Sequence, residues 1–232
     1  MGAGAVSAAL ERDDIQGLFA RGYSNLGRAA FLLLSLDGGG PRWLADVVGG
    51  ITSADDRPEE RAANVAFTSS GLEALGVDRA TLAQFSNEFV SGMTTPHRRR
   101  ILADAGESAP ERWQWGGPAN ERVDGLLLLY AVDAAALDAL VAEQTETLNR
   151  HGVGVVRRLE TNDLDGFEPF GFRDGVSQPL VEGLGKHGRA EFTVRAGEFV
   201  LGYPNEYGRL TDHPPLGRNG SYLVFRQLEQ DV

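Results

Sequence analysis

Two long runs in this chain are apolar along nearly their whole length. They are Ala29-Ala30-Phe31-Leu32-Leu33-Leu34-Ser35-Leu36 and Val123-Asp124-Gly125-Leu126-Leu127-Leu128-Leu129-Tyr130-Ala131-Val132. A strand with one wet face alternates polar and apolar residues, so runs like these demand cover on both faces. They are also far short of the roughly 20 apolar residues that a membrane-spanning helix needs. A helix signal follows each run. Asp37-Gly38-Gly39-Gly40 ends the first, and Pro41 suits the first turn of a helix reaching Val48. After the second, Asp133 is a good N-cap for a helix over 134–150, with Leu137, Leu140, Val141 and Leu148 as its apolar stripe. His151-Gly152 closes that helix. A weaker strand over 63–68 and another over 153–159 complete the series: strand, helix, strand, long insertion, strand, helix, strand.

That order predicts an α+β fold of the ferredoxin-like, split β-α-β kind. An antiparallel four-stranded sheet would carry its helices on one face. A flavodoxin-like winding ranks second, because its phosphate loop would have to be Gly38-Gly39-Gly40-Pro41, where proline removes a backbone donor. Within the insertion, 70–76 reads as a short helix stopped by Gly76. Asp78 caps a helix carrying Leu82, Phe85 and Val90 that ends before Gly92. Residues 93–120, with Pro96, Pro110, Pro118, Trp113 and Trp115, show no period and read as a surface excursion. Beyond Glu160 the chain is loop-rich until 221–228, which reads as a new strand. The expected division is 1–160 as the ferredoxin-like unit, 161–218 as a crossover, and 219–232 as the first strand of a second such unit, cut from a longer protein.

Charge and composition exclude several partners. The formal net charge of -11 opposes a nucleic-acid role, which relies on clustered Lys and Arg. The one basic cluster, from His97 to Arg100, is short and reads as a solvated loop or helix start. With no cysteine there is neither a disulfide nor a thiolate nucleophile. Met1 to Ala9 lacks a basic flank and runs into Glu11-Arg12-Asp13-Asp14, so it does not read as a signal peptide. The expectation is a cytoplasmic chain with no nucleic acid or membrane partner, free to form a homo-oligomer.

The stretch richest in chemistry is Gly171-Phe172-Arg173-Asp174-Gly175-Val176-Ser177-Gln178-Pro179. Asp followed by Gly is a common turn pair, so Asp174 is either a turn residue or an aimed acid-base group. The residues Gly171-Phe172-Arg173-Asp174-Gly175 fit the GxxDG signature. Ser177-Gln178-Pro179, Gly197-Glu198-Phe199-Val200-Leu201-Gly202-Tyr203-Pro204-Asn205-Glu206 and Asn219-Gly220-Ser221-Tyr222-Leu223-Val224-Phe225-Arg226 follow it in order. In this ordered set the chain resembles the dye-decolourising (DyP-type) haem peroxidases.

The resemblance implies two ferredoxin-like halves, a dimeric α+β barrel, enclosing haem b. It implies that Asp174 takes a proton from hydrogen peroxide and returns it to the leaving oxygen, after which the oxidised haem oxidises dyes, phenols or similar donors. Unsymmetrical O–O cleavage does need one group that is base first and acid second. Cofactor-binding roles fall to Phe172, Arg173, Gly175, Val176, Ser177 and Gln178. Phe172 would limit water, Arg173 would either pair with a haem propionate or sit at the surface, and Ser177 and Gln178 would line the haem edge or satisfy loop backbone groups. The family's proximal histidine and distal arginine lie downstream of the segment matched here. His97, His151, His187 and His213 read as loop or capping residues rather than substitutes, so the 232-residue piece alone is expected to bind haem poorly and to lack turnover.

Three competing functions remain on sequence grounds. One is a haem-free ferredoxin-like binding or assembly module. Another is a relative that handles haem as a substrate by removing its iron. A hydrolase using Asp163, Asp165, Glu168 and Asp174 is the third, although those acids have no spacing that fixes a metal or a glycosidic bond.

Overall fold

The computed structural model describes residues 9–161, 171, 179–184 and 193–229. Its centre is an antiparallel sheet of β1 (Arg28–Ser35), β2 (Arg61–Phe67), β3 (Gly125–Ala131) and β4 (Gly154–Glu160), in the order β2-β3-β1-β4. Two helices, α1 (Gly40–Val47) and α6 (Ala134–His151), cover one face. This is the ferredoxin-like arrangement, and its antiparallel pairing removes the flavodoxin-like alternative.

The apolar runs are covered on both faces, for the reason their composition implies. Alternate residues of β1 and β3, including Leu32, Leu34, Leu127 and Leu129, pack beneath the helices with Trp43, Leu137, Leu140, Val141 and Leu148. The residues between them, Phe31, Leu33, Leu126, Leu128 and Tyr130, form a second apolar layer on the opposite face. Helix α6 begins where Asp133 accepts a hydrogen bond from Ala136 N and ends at Gly152, whose φ is +68°. The glycine run after β1 has a packing cause: a Cβ on Gly39 would lie 1.8 Å from the carbonyl oxygen of His151. Only glycine lets α1 start this close to the end of α6.

Two expectations are corrected within the described residues. The helix expected from Asp78 is two short helices, α3 (Arg79–Leu82) and α4 (Asn87–Ser91), following α2 (Ser69–Ala74). Ser86 interrupts the run because its hydroxyl accepts from Phe89 N and starts a fresh helix. The excursion over 93–120 contains a regular element, α5 (Pro96–Leu102), capped by Thr95 with Pro96 in its first turn. The segment 221–229 forms no strand ladder among the described residues. A strand needs a neighbour for its backbone groups, and the described strands pair among themselves. This segment docks instead through its side chains.

Candidate functional site

Asp174 lies outside the described residues, together with Phe172, Arg173, Gly175, Val176, Ser177, Gln178, Asp163, Asp165, Glu168 and His187. What is described is the frame at both ends of the motif. On leaving β4, Thr161 is fastened to the start of β1: its N–H donates to Ala29 O at 3.1 Å, and its Oγ1 accepts from Ala29 N at 3.1 Å. Gly171, which opens the motif, has φ +82°, a left-handed conformation that favours glycine. After Pro179 the chain enters β5 (Leu180–Val181), which pairs in parallel with β6 (Thr193–Val194). Glu182 N donates to Val194 O at 2.8 Å, and Leu184 is buried with Ile15, Ala54, Val200 and Tyr203. Both ends of the motif segment are therefore tied to distant parts of the chain.

The loops over 195–219 account for the other residues of the matched pattern. A Cβ on Gly197 would lie 2.2 Å from Tyr203 O, so this turn closes only with glycine. Glu206 Oε1 accepts from Arg195 N at 2.6 Å, and Glu206 N donates to Glu198 Oε1 at 2.8 Å, which knits the loop to itself. Asn219 is buried at φ +64°, a conformation asparagine tolerates better than most residues. Its side-chain amide is fully used: Oδ1 accepts from Tyr203 OH at 2.7 Å, while Nδ2 donates to Glu11 Oε2 at 2.6 Å and Asp14 Oδ2 at 2.7 Å. Arg218 joins Glu11 at 2.8 Å. These bonds from Arg218, then Asn219, pull the Glu11 carboxyl down to about 2. Sequence reading singled out Asn219 but not Glu11 or Asp14, about 200 residues earlier, because no local spacing links them.

The sheet face opposite the helices is closed by side chains from irregular chain. Phe225 packs edge-on against Phe31, with centroids 5.6 Å apart, and stacks on Trp115 at 5.5 Å. Trp115 Nε1 donates to Gln227 Oε1 at 2.7 Å, and Tyr222 OH accepts from Ser86 N at 3.1 Å. Arg226 pairs with the buried Asp104 at 2.6 Å and sits over the Trp113 ring. Trp115 thus holds Phe225 against the sheet, and Trp113 supports Arg226.

The described histidines are committed elsewhere. His151 Nε2 lies 2.7 Å from Asp46 Oδ2, His213 Nδ1 lies 2.8 Å from Pro214 O, and His97 sits in α5 beside Arg100. Among the described residues no cluster of three or more His, Asp or Glu side chains comes together.

No family model matches the chain. Over 176 residues it is 30% identical to the dye-decolorizing peroxidase msp1 of Mycetinis scorodonius, a match covering 73% of this chain and 32% of that protein. Over this segment the chain is similar in sequence to the dye-decolorizing peroxidases. It is also 31% identical over 176 residues to the multifunctional dye peroxidase DyP2 of an Amycolatopsis species, covering 72% of this chain and 35% of the relative. The chain spans about a third of the length of these curated relatives. The fold of a DyP-type peroxidase is independently evident. An ancestral D-type dye decolorizing peroxidase superposes with a TM-score of 0.71 at 19% identity, over 91% of this chain and 48% of the other. A decolorizing peroxidase from Auricularia auricula-judae gives 0.67 at 21% identity, over 88% and 45%.

Proposed function

We propose that this chain supplies the acid-base side of a haem-dependent peroxidase that reduces hydrogen peroxide and oxidises dyes, phenols or similar donors. The observation that carries the reading is the 30% identity to a dye-decolorizing peroxidase across 73% of the chain. Asp174 is the acid-base group: it takes a proton from hydrogen peroxide and returns it to the departing oxygen, which leaves as water. Phe172, Arg173, Gly175, Val176, Ser177 and Gln178 would hold the cofactor. Haem b, when bound, supplies the iron and the redox equivalents.

The residues fit such a group on one side only. A left-handed glycine at position 171 suits close approach of the backbone to a flat cofactor. His97, His151 and His213 are engaged with other groups and make poor axial ligands. Within this proposal the axial ligand comes from other chain, continuous with this one or separate. The second ferredoxin-like unit does too, with 219–232 pairing into it and 161–218 acting as the crossover. No helix among the described residues is long and apolar enough to cross a membrane, and we place the protein in the cytoplasm.

The test is a haemin titration of the 232-residue chain and of the complete gene product, followed by the Soret band and by peroxide-dependent dye oxidation. The complete product should bind haem and turn over, and Asp174→Asn should slow the peroxide step by roughly 10²–10⁴-fold without loss of haem. An Asp174→Asn enzyme as fast as the parent would remove the acid-base assignment. Tight haem binding by the 232-residue chain alone would return His97, His151, His187 and His213 to consideration as ligands.

A further inference from the structure

Two guanidinium groups meet at one backbone oxygen. Arg12 NH2 donates to Ala54 O at 2.9 Å, and Arg21 NH2 donates to the same atom at 3.0 Å. Two like charges this close repel unless an anion lies between or beside them. Each nitrogen of the Arg12 guanidinium has an acceptor: besides Ala54 O, its Nε bonds Asp55 Oδ1 at 2.7 Å and its NH1 bonds Gly183 O at 2.7 Å. Arg21 differs. Among the described residues Ala54 O is its hydrogen-bond acceptor, no carboxylate forms an ion pair with it, and its Nε is buried with no partner. Asp56, two residues beyond Ala54, is turned to another task, since its Oδ2 accepts from Ser53 N at 2.7 Å.

A buried donor on a charged group is costly to leave unbonded, and only three buried side-chain polar atoms among the described residues stand in that condition. The unused edge of a guanidinium presents parallel N–H groups that match two oxygens of one carboxylate or phosphate. The net charge of -11 gives the protein no general attraction for anions, so capture here would have to come from this pair. We propose that Arg21, with Arg12 beside it at Ala54 O, binds a small oxyanion bearing a carboxylate or phosphate group, which would satisfy the unpartnered Arg21 Nε. The site does not depend on the peroxidase reading.

The experiment follows the arginine side-chain N–H signals by NMR during separate titrations with inorganic phosphate and with succinate, against sodium chloride at matched ionic strength. Saturable movement of the Arg21 Nε–H signal is expected with at least one oxyanion and not with chloride, and the stronger titration identifies the ligand class. Arg21→Gln should weaken that binding about tenfold or more. Arg21→Lys keeps the charge but loses the planar fork, so it should bind more weakly than the parent; it serves as the test if Arg21→Gln does not fold. Identical behaviour in phosphate, succinate and chloride would overturn the proposal. So would saturable binding that Arg21→Gln and Arg21→Lys both leave unchanged.

Discussion

The two faces of the sheet are built from the same strands but are closed by different means. Beneath α1 and α6 the cover is regular: an amphipathic helix buries a continuous stripe, and Leu148 and Trp43 are fully enclosed. On the opposite face the cover is assembled from single side chains, Trp115 and Phe225 among them, with Trp115 tied to Gln227 and the neighbouring Arg226 tied to Asp104. Elements that bury many neighbours at once open together at high cost, whereas a cover held by a few contacts opens locally at low cost. In the proposed enzyme the stable face is the scaffold. The other face, pinned to 221–229, is where the molecule can rearrange or receive further chain.

The largest effect should therefore come from the helix face. Leu148→Ala removes a fully buried side chain and should cost about 2–5 kcal/mol in denaturant unfolding. Phe225→Ala on the other face removes a half-buried ring and two aromatic contacts, so about 1–2 kcal/mol is expected. That change should also shift Trp115 emission to the red without altering helix content by circular dichroism. Equal costs for the two variants would break the comparison.

The smallest effect concerns the latch between Glu11 and Asn219. Because the folded state holds Glu11 at about 2 against an ordinary 4.5, the latch contributes above 4.5 and is lost as pH falls through about 2. Hydrogen exchange of the N-terminal segment should quicken over that interval, and Glu11→Gln should flatten its pH dependence. An unchanged profile in Glu11→Gln would assign the acid sensitivity to other carboxylates. Burial acts in the opposite direction on Tyr23, raising its hydroxyl to about 12 from 10.0. Its contribution is complete below 10.0 and disappears as pH rises through about 12.

The strand–helix order, the cap at Asp133, the stop at Gly152 and the two-sided burial of the leucine runs were all legible from residue spacing. Each depends on neighbours within a few positions, which is the range over which periodicity and capping act. The GxxDG residues were read as a catalytic motif, and all of them but Gly171 lie outside the described residues. Two features had no local signal, the docking of 221–229 through Phe225 and Arg226 and the meeting of Asn219 with Glu11 and Asp14, whereas the break at Ser86 had one, a capping serine three residues before Phe89, that the periodic reading passed over. Sequence by itself determined the four strands of the sheet and the two helices that cover it, and that two apolar faces had to be covered. Only the tertiary structure decided what covers the second face and which distant charges meet, because those partners are chosen by chain closure and not by spacing along the chain.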